Sequence, residues 1–189
     1  IDPSATEKEV ALTTARAEAA RGHAHLLYFD ECDLHLLPVI RAMWMKGPRV
    51  RVPTPGTNRK RAFFGALNAA TGAWFSIDRD RKLAVHFVAF LQQIAAAYPS
   101  GPLYLAMDNV KMHDAKVVRA WLAANPRIRV LWLPKYAAHN ANPVERIWGL
   151  MKDDVAANRL AGSIEELAAS ARRFFATIAA HPVSLPLAA

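Results

Sequence analysis

Apolar positions along the chain change period several times, and each change marks an element. Across 82–98, Leu83, Phe87, Phe90, Leu91, Ile94 and Tyr98 recur at helical spacing and share one face. Pro99-Ser100-Gly101 stops that helix. Short dense runs behave differently. HLLYFDE at 25–31, LYLAM at 103–107 and IRVLWL at 128–133 have strand length and read as buried strands. AFFGALN at 62–68 and AWFSI at 73–77 flank Ala69-Ala70-Thr71-Gly72, a hairpin pattern. An extended piece at 34–40 closes at Pro38, and a helix covers about 114–124. Asn142-Pro143 opens a helix to about 158. Asn caps, Pro suits the first helical position, and Val144, Ile147, Met151 and Val155 form the buried stripe. Ser163-x-x-Glu166 is a capping box, and Leu167, Phe174 or Phe175, and Ile178 give its helix a core face. Ser4-x-x-Glu7 and Gly22 bracket an Ala-rich opening helix with a thin apolar face.

After that opening helix the order is β-β-β-α-β-α-β-α-α. It predicts an α/β fold whose mixed five-stranded sheet has three antiparallel strands, then parallel strands joined by crossover helices. At 189 residues and 53% apolar composition, one folded domain is expected and a disordered chain is excluded. The expected division is a linker-like helix at 1–22, a domain at 23–182 with a basic arm at about 41–61, and a loose tail at 183–189. No apolar run reaches transmembrane length and no signal-peptide pattern opens the chain. Cys32 is the single cysteine, so internal disulfides and cysteine-based zinc sites are excluded. A soluble cytoplasmic protein with no membrane partner is expected.

The net charge of +8 directs attention to polyanions, nucleic acid first. Arg41, Lys46, Arg49, Arg51, Arg59, Lys60 and Arg61 fall in a stretch without any acid, and its Pro and Gly residues forbid a regular helix. Seven such cations repel one another unless an anion arrives, so this arm, with Trp44 beside it, reads as a nucleic-acid backbone contact. A solvated loop is the plain alternative.

The acids need more explanation. Asp30 lies near the end of the first strand and Asp108 ends the fourth. Acids there are costly unless paired, exposed or bound to a cation. On local grounds Asp108 could cap the next helix, with Asp114 competing, and Glu145 completes a capping box with Asn142. If the first and fourth strands are adjacent, however, Asp30 and Asp108 become neighbours and the helix brings Glu145 over them. Three converging carboxylates repel strongly without a cation. Mg²⁺ or Mn²⁺, hard ions that prefer oxygen, are the natural occupants. Two such ions about 4 Å apart clamp the attacking and leaving oxygens of a phosphoryl displacement.

Three landmarks occur in order: Tyr28-Phe29-Asp30-Glu31; Asp108-Asn109-Val110-Lys111-Met112-His113; and Leu133-Pro134-x-Tyr136 leading to Asn142-Pro143-Val144-Glu145-Arg146-x-Trp148, with Lys152 beyond. The last two acids lie 37 positions apart. The set resembles the catalytic domain of mariner-superfamily transposases, in the bacterial insertion-sequence branch, over roughly 26–152. The resemblance implies a ribonuclease H-like fold with Asp30, Asp108 and Glu145 as catalytic metal ligands for two Mg²⁺ or Mn²⁺ ions. It implies supporting roles for Asn109, His113 and Asn142. It also implies DNA contacts from the arm (Lys46, Arg49, Arg51, Arg59, Lys60, Arg61) and from Arg146 and Lys152. Glu31 matches the motif without a ligand role, and Trp148 reads as packing. The implied activity is phosphodiester hydrolysis at a transposon end, then attack of the freed 3′-hydroxyl on target DNA. The implied setting is a homodimer on DNA in a bacterial cytoplasm. Two departures stand out. The loop at 137–141 differs from the usual Ser-Pro-Glu-Leu and is one residue longer, and the upstream helix-turn-helix modules of full-length relatives are not expected here. A catalytically silent core that binds DNA or protein, and a related ribonuclease H-like nuclease, are the alternatives.

Overall fold

The computed structural model describes residues 3–44, 46–47, 51–68, 70–134 and 142–181. The loop at 137–141, Tyr136, Arg49 and the tail at 183–189 lie outside them. The elements run α1 (Ala5–Ala20), β1 (His25–His35), β2 (Lys60–Asn68), β3 (Trp74–Arg79), α2 (Ala84–Ala97), β4 (Leu103–Met107), α3 (Lys116–Ala124), β5 (Ile128–Trp132), α4 (Val144–Ala156) and α5 (Ile164–Ala180).

The sheet order is β3-β2-β1-β4-β5, antiparallel across β3, β2 and β1 and parallel from β1 to β4 to β5. This is the mixed five-stranded α/β sheet expected from the sequence, with β1 beside β4. Alternate residues of β1 serve opposite faces. Leu26, Tyr28, Cys32 and Leu34 join the core beneath α1, α4 and α5, whereas Leu27 and Phe29 join the one beneath α2 and α3. All four residues expected to form the α4 stripe are buried, and Phe175 rather than Phe174 enters the core from α5. Ser163 caps α5 by accepting from the Glu166 amide at 3.1 Å.

Three features of the fold depend on contacts between distant segments. β1 continues to His35 because its acidic end pairs with β2, Asp33 facing Ala62 and His35 facing Lys60. The opening helix α1 packs Leu12, Ala15 and Ala19 into the core. Its polar side is tied to the sheet as well: Arg16 donates to the Tyr28 hydroxyl at 2.8 Å, and the Tyr104 hydroxyl donates to Glu18 at 2.7 Å. The arm leaves β1 as an extended segment anchored on α4 by a bridge between Val39 and Ala157. Asn158 accepts from the Arg41 amide at 2.9 Å and donates to its carbonyl at 3.0 Å, and Arg41 pairs with Asp153 at 2.6 Å.

Candidate active site

The register of β1 on β4 pairs Tyr28 with Ala106. Asp30 lies two residues beyond Tyr28 on β1, and Asp108 two beyond Ala106, just past the end of β4. Asp30 follows Tyr28 onto the α4 side of the sheet, and Glu31 follows Phe29 onto the α2/α3 side.

Asn142 locks α4 over this point. It is buried, its Nδ2 donates to the Phe29 carbonyl at 2.9 Å, and its Oδ1 accepts from the Val144 amide at 3.1 Å. One residue thus caps the helix and ties it to the strand beside Asp30. Further along α4, Trp148 Nε1 donates to Asp30 Oδ2 at 3.0 Å. Glu145 lies three residues before Trp148, on the same side of the helix.

The charge of Glu145 acts on both Asp30 and Asp108. Burial, then the charge of Glu145, with Glu31 adding, pushes the Asp30 carboxyl up to about 7, against a hydrogen bond from Trp148. Asp108 is raised by burial and by the charges of Glu31 and Glu145, with His113 and Lys82 opposing. Asp108 Oδ1 is buried with no hydrogen-bond partner among the described residues. Two carboxyls driven towards protonation and one orphaned carboxylate oxygen fit a hard divalent cation.

His113 is buried and bonded at both ring nitrogens. Nε2 lies 2.6 Å from Glu31 Oε1 and Nδ1 lies 3.0 Å from the Asp108 carbonyl. Both partners offer acceptor oxygens, an arrangement that favours a proton on each ring nitrogen. Burial opposes that charge, but the bond and charge of Glu31, helped by Asp108, raise the histidine's pKa above its ordinary value. Glu31, Asp108 and His113 bring potential ligand atoms within 4.8 Å.

The remaining expected residues distribute unevenly. Asn109 is exposed and makes no side-chain hydrogen bond among the described residues, whereas His113 and Asn142 are built into the site. Lys46, Arg51, Arg59 and Arg146 are exposed. Lys152 is half-buried and lies against the Cys32 thiol. Lys60 pairs with Asp33 at 2.9 Å, and Arg61 pairs with Asp80 and, at 3.7 Å, with Asp78. The arm therefore has counter-charges after all, brought from β1, α4 and the β3 end. Three residues went unrecognised in the sequence: Glu31 as the histidine's partner, Trp148 as a donor, and Lys82, which donates to the Glu31 carbonyl at 3.2 Å. The motif positions of Glu31 and Trp148 marked them without revealing their contacts; nothing local marked Lys82.

The chain is similar to known proteins in sequence and in fold. The family model described as DDE superfamily endonuclease matches residues 25–168. An insertion element IS630 uncharacterized 39 kDa protein of Shigella sonnei is 33% identical over 183 residues, which is 96% of this chain and 53% of that protein. The chain thus spans about half the length of this relative. Among solved structures, the Mos1 transposase paired-end complex with left transposon end superposes with a TM-score of 0.67 at 14% identity, covering 91% of this chain and 53% of that one. A mariner Mos1 paired end complex with Mg gives a TM-score of 0.63 at 14% identity over 92% and 53% of the two chains. The shared fold is that of ribonuclease H-like transposase cores.

Proposed function

The chain belongs to the DDE superfamily of endonucleases, a membership that implies divalent-metal use, and on that premise we propose that it is the catalytic core of an insertion-element transposase. Asp30, Asp108 and Glu145 are the metal-holding acids. The observation that carries this reading is that burial, and then the charges of neighbouring acids with Glu145 of α4 among them, raises both Asp30 on β1 and Asp108 just after β4. The occupants are two Mg²⁺ or Mn²⁺ ions. When bound, they supply the positive charge that makes the attacking oxygen a nucleophile and stabilises the leaving oxygen.

The chain's own residues prepare that chemistry. Asn142 sets where α4 begins, and so where Glu145 points. Trp148 orients Asp30, and His113 grips the main chain at Asp108. The exposed cations Lys46, Arg51, Arg59 and Arg146 hold DNA backbone, with Arg49 and Lys152 assigned the same role. Lys60 and Arg61 reach DNA only by exchanging their acid partners. Substrates are the transposon end and the target DNA, cut and joined in turn, with a homodimer as the working unit on DNA. The Mos1 complexes with transposon-end DNA and with Mg support this assignment. No helix among the described residues is long and apolar enough to cross a membrane, and the bacterial relative fits the cytoplasmic setting expected from the sequence.

The test is strand cleavage of a labelled DNA duplex by this chain with Mg²⁺ or Mn²⁺. Cleavage that requires the metal and disappears in Asp108→Ala supports the reading. An Asp108→Ala protein that cuts as fast as the parent overturns it.

A further inference from the structure

Glu31 and His113 lie 82 residues apart in sequence and meet at 2.6 Å with side chains 6% and 0% exposed. A pair so buried costs desolvation on both partners, and the proposed function gives Glu31 no part. The ring is fixed on every side. Phe29 meets it edge-on at 5.5 Å, Phe87 lies at 4.7 Å and Trp132 stacks at 6.4 Å, between ring centroids. Held this way, Nδ1 bonds the Asp108 carbonyl at 3.0 Å but stands 3.8 Å from Asp108 Oδ1. That second distance is too long for a hydrogen bond. The histidine therefore takes the backbone of Asp108 and leaves its buried carboxylate oxygen unclaimed.

We propose that Glu31 and His113 are a positioning pair: Glu31 on β1 fixes the histidine ring, and the ring fixes the turn after β4 so that the Asp108 carboxylate is presented for a cation rather than consumed by the protein. The inference rests on Asp108 being a metal-holding acid. It gives Glu31 a role its neighbour Asp30 cannot fill, since the pleat turns the two to opposite faces of the sheet. It also couples the ends of the two strands that carry the site. Outer partners of this kind change metal affinity by about 10- to 100-fold when removed.

The test is Mn²⁺ binding by this chain, read from the loss of the free-ion paramagnetic resonance signal, with melting temperature recorded for each variant. Glu31→Leu, which leaves Nε2 without an acceptor, is expected to weaken Mn²⁺ binding at least tenfold. Glu31→Gln, whose amide oxygen still accepts from Nε2, is expected to stay within threefold of the parent. His113→Gln retains a group near Glu31 but deletes the grip on the Asp108 carbonyl. It should lose at least tenfold, and it carries the test if Glu31→Leu does not fold. Parent-like binding in both Glu31→Leu and His113→Gln overturns the pair. Equal losses in Glu31→Leu and Glu31→Gln also overturn it, because charge rather than positioning would then be responsible. Asp108→Asn separates the two levels: if it too binds Mn²⁺ like the parent, the metal-site reading itself fails.

Discussion

Trp148 donates its indole N–H to Asp30 Oδ2 at 3.0 Å while its ring packs edge-on against Trp74 and Phe175. The core of α4 and α5 thereby sets the orientation of a candidate metal acid. Hydrogen bonds to charged groups contribute about 1.5–3 kcal/mol. Trp148→Phe keeps an aromatic ring and deletes the donor, so metal-dependent cleavage should fall about tenfold or more. Rates at saturating Mn²⁺, compared at matched fractions folded, check this.

Gly65 faces Asp30 across the β1–β2 pair, and a Cβ there would lie 2.4 Å from the Trp74 ring and 2.6 Å from the Trp148 ring. The strand leaves no room for a methyl group without moving both indoles. Gly65→Ala is expected to destabilise the fold by about 1–3 kcal/mol through overpacking and to weaken metal binding through Trp148. Denaturant melts and a Mn²⁺ titration measure the two effects separately.

The Asp30 carboxyl has a pKa of about 7 in the fold against 3.8 ordinarily. Between those values the folded chain keeps a proton that the unfolded chain has released. Its contribution to stability therefore falls as pH rises from about 4 to 7 and is flat above, by about 1.4 kcal/mol for each pH unit separating the two values. Asp30→Asn removes the buried charge. It should melt above the parent at pH 8 without metal and show little difference at pH 4. The raised histidine titrates in both proteins and cancels in the comparison. Because metal competes with this proton, parent Mn²⁺ affinity should drop as pH falls below 7. Thermal melts at both pH values and titrations at pH 6 and 8 test the pair of statements.

Arm cations separate into exposed and paired sets. Replacing Lys46, Arg51 and Arg59 by Ala should weaken DNA binding and flatten its salt dependence, by about 0.9 in log–log slope for each phosphate no longer neutralised. Replacing Lys60 or Arg61 should change the slope less, because their acids at 33, 78 and 80 already hold them. Binding isotherms across a salt series distinguish the two sets.

Much of this fold was legible because burial imposes periodicity. Phe87, Phe90, Leu91 and Ile94 announced α2, and the apolar runs announced β1, β4 and β5. Asn142-Pro143 marked the start of α4 because capping chemistry is local. What could not be read were contacts between distant segments. The Glu31–His113 pair, the indole bond to Asp30 and the acids that meet Arg41, Lys60 and Arg61 all depend on strand order and register. Trp148 illustrates the limit: it read as packing, but its N–H finds Asp30 only through the placement of α4 over β1.

Acids from two strands and one helix are proposed to form a single metal-dependent site. Mn²⁺ titration of the parent, Asp30→Asn, Asp108→Asn and Glu145→Gln tests this most directly. Each substitution is expected to weaken binding at least tenfold while leaving the chain folded. Parent-like Mn²⁺ binding by Glu145→Gln would contradict the account, since α4 would then contribute no ligand and the three acids would not form one site.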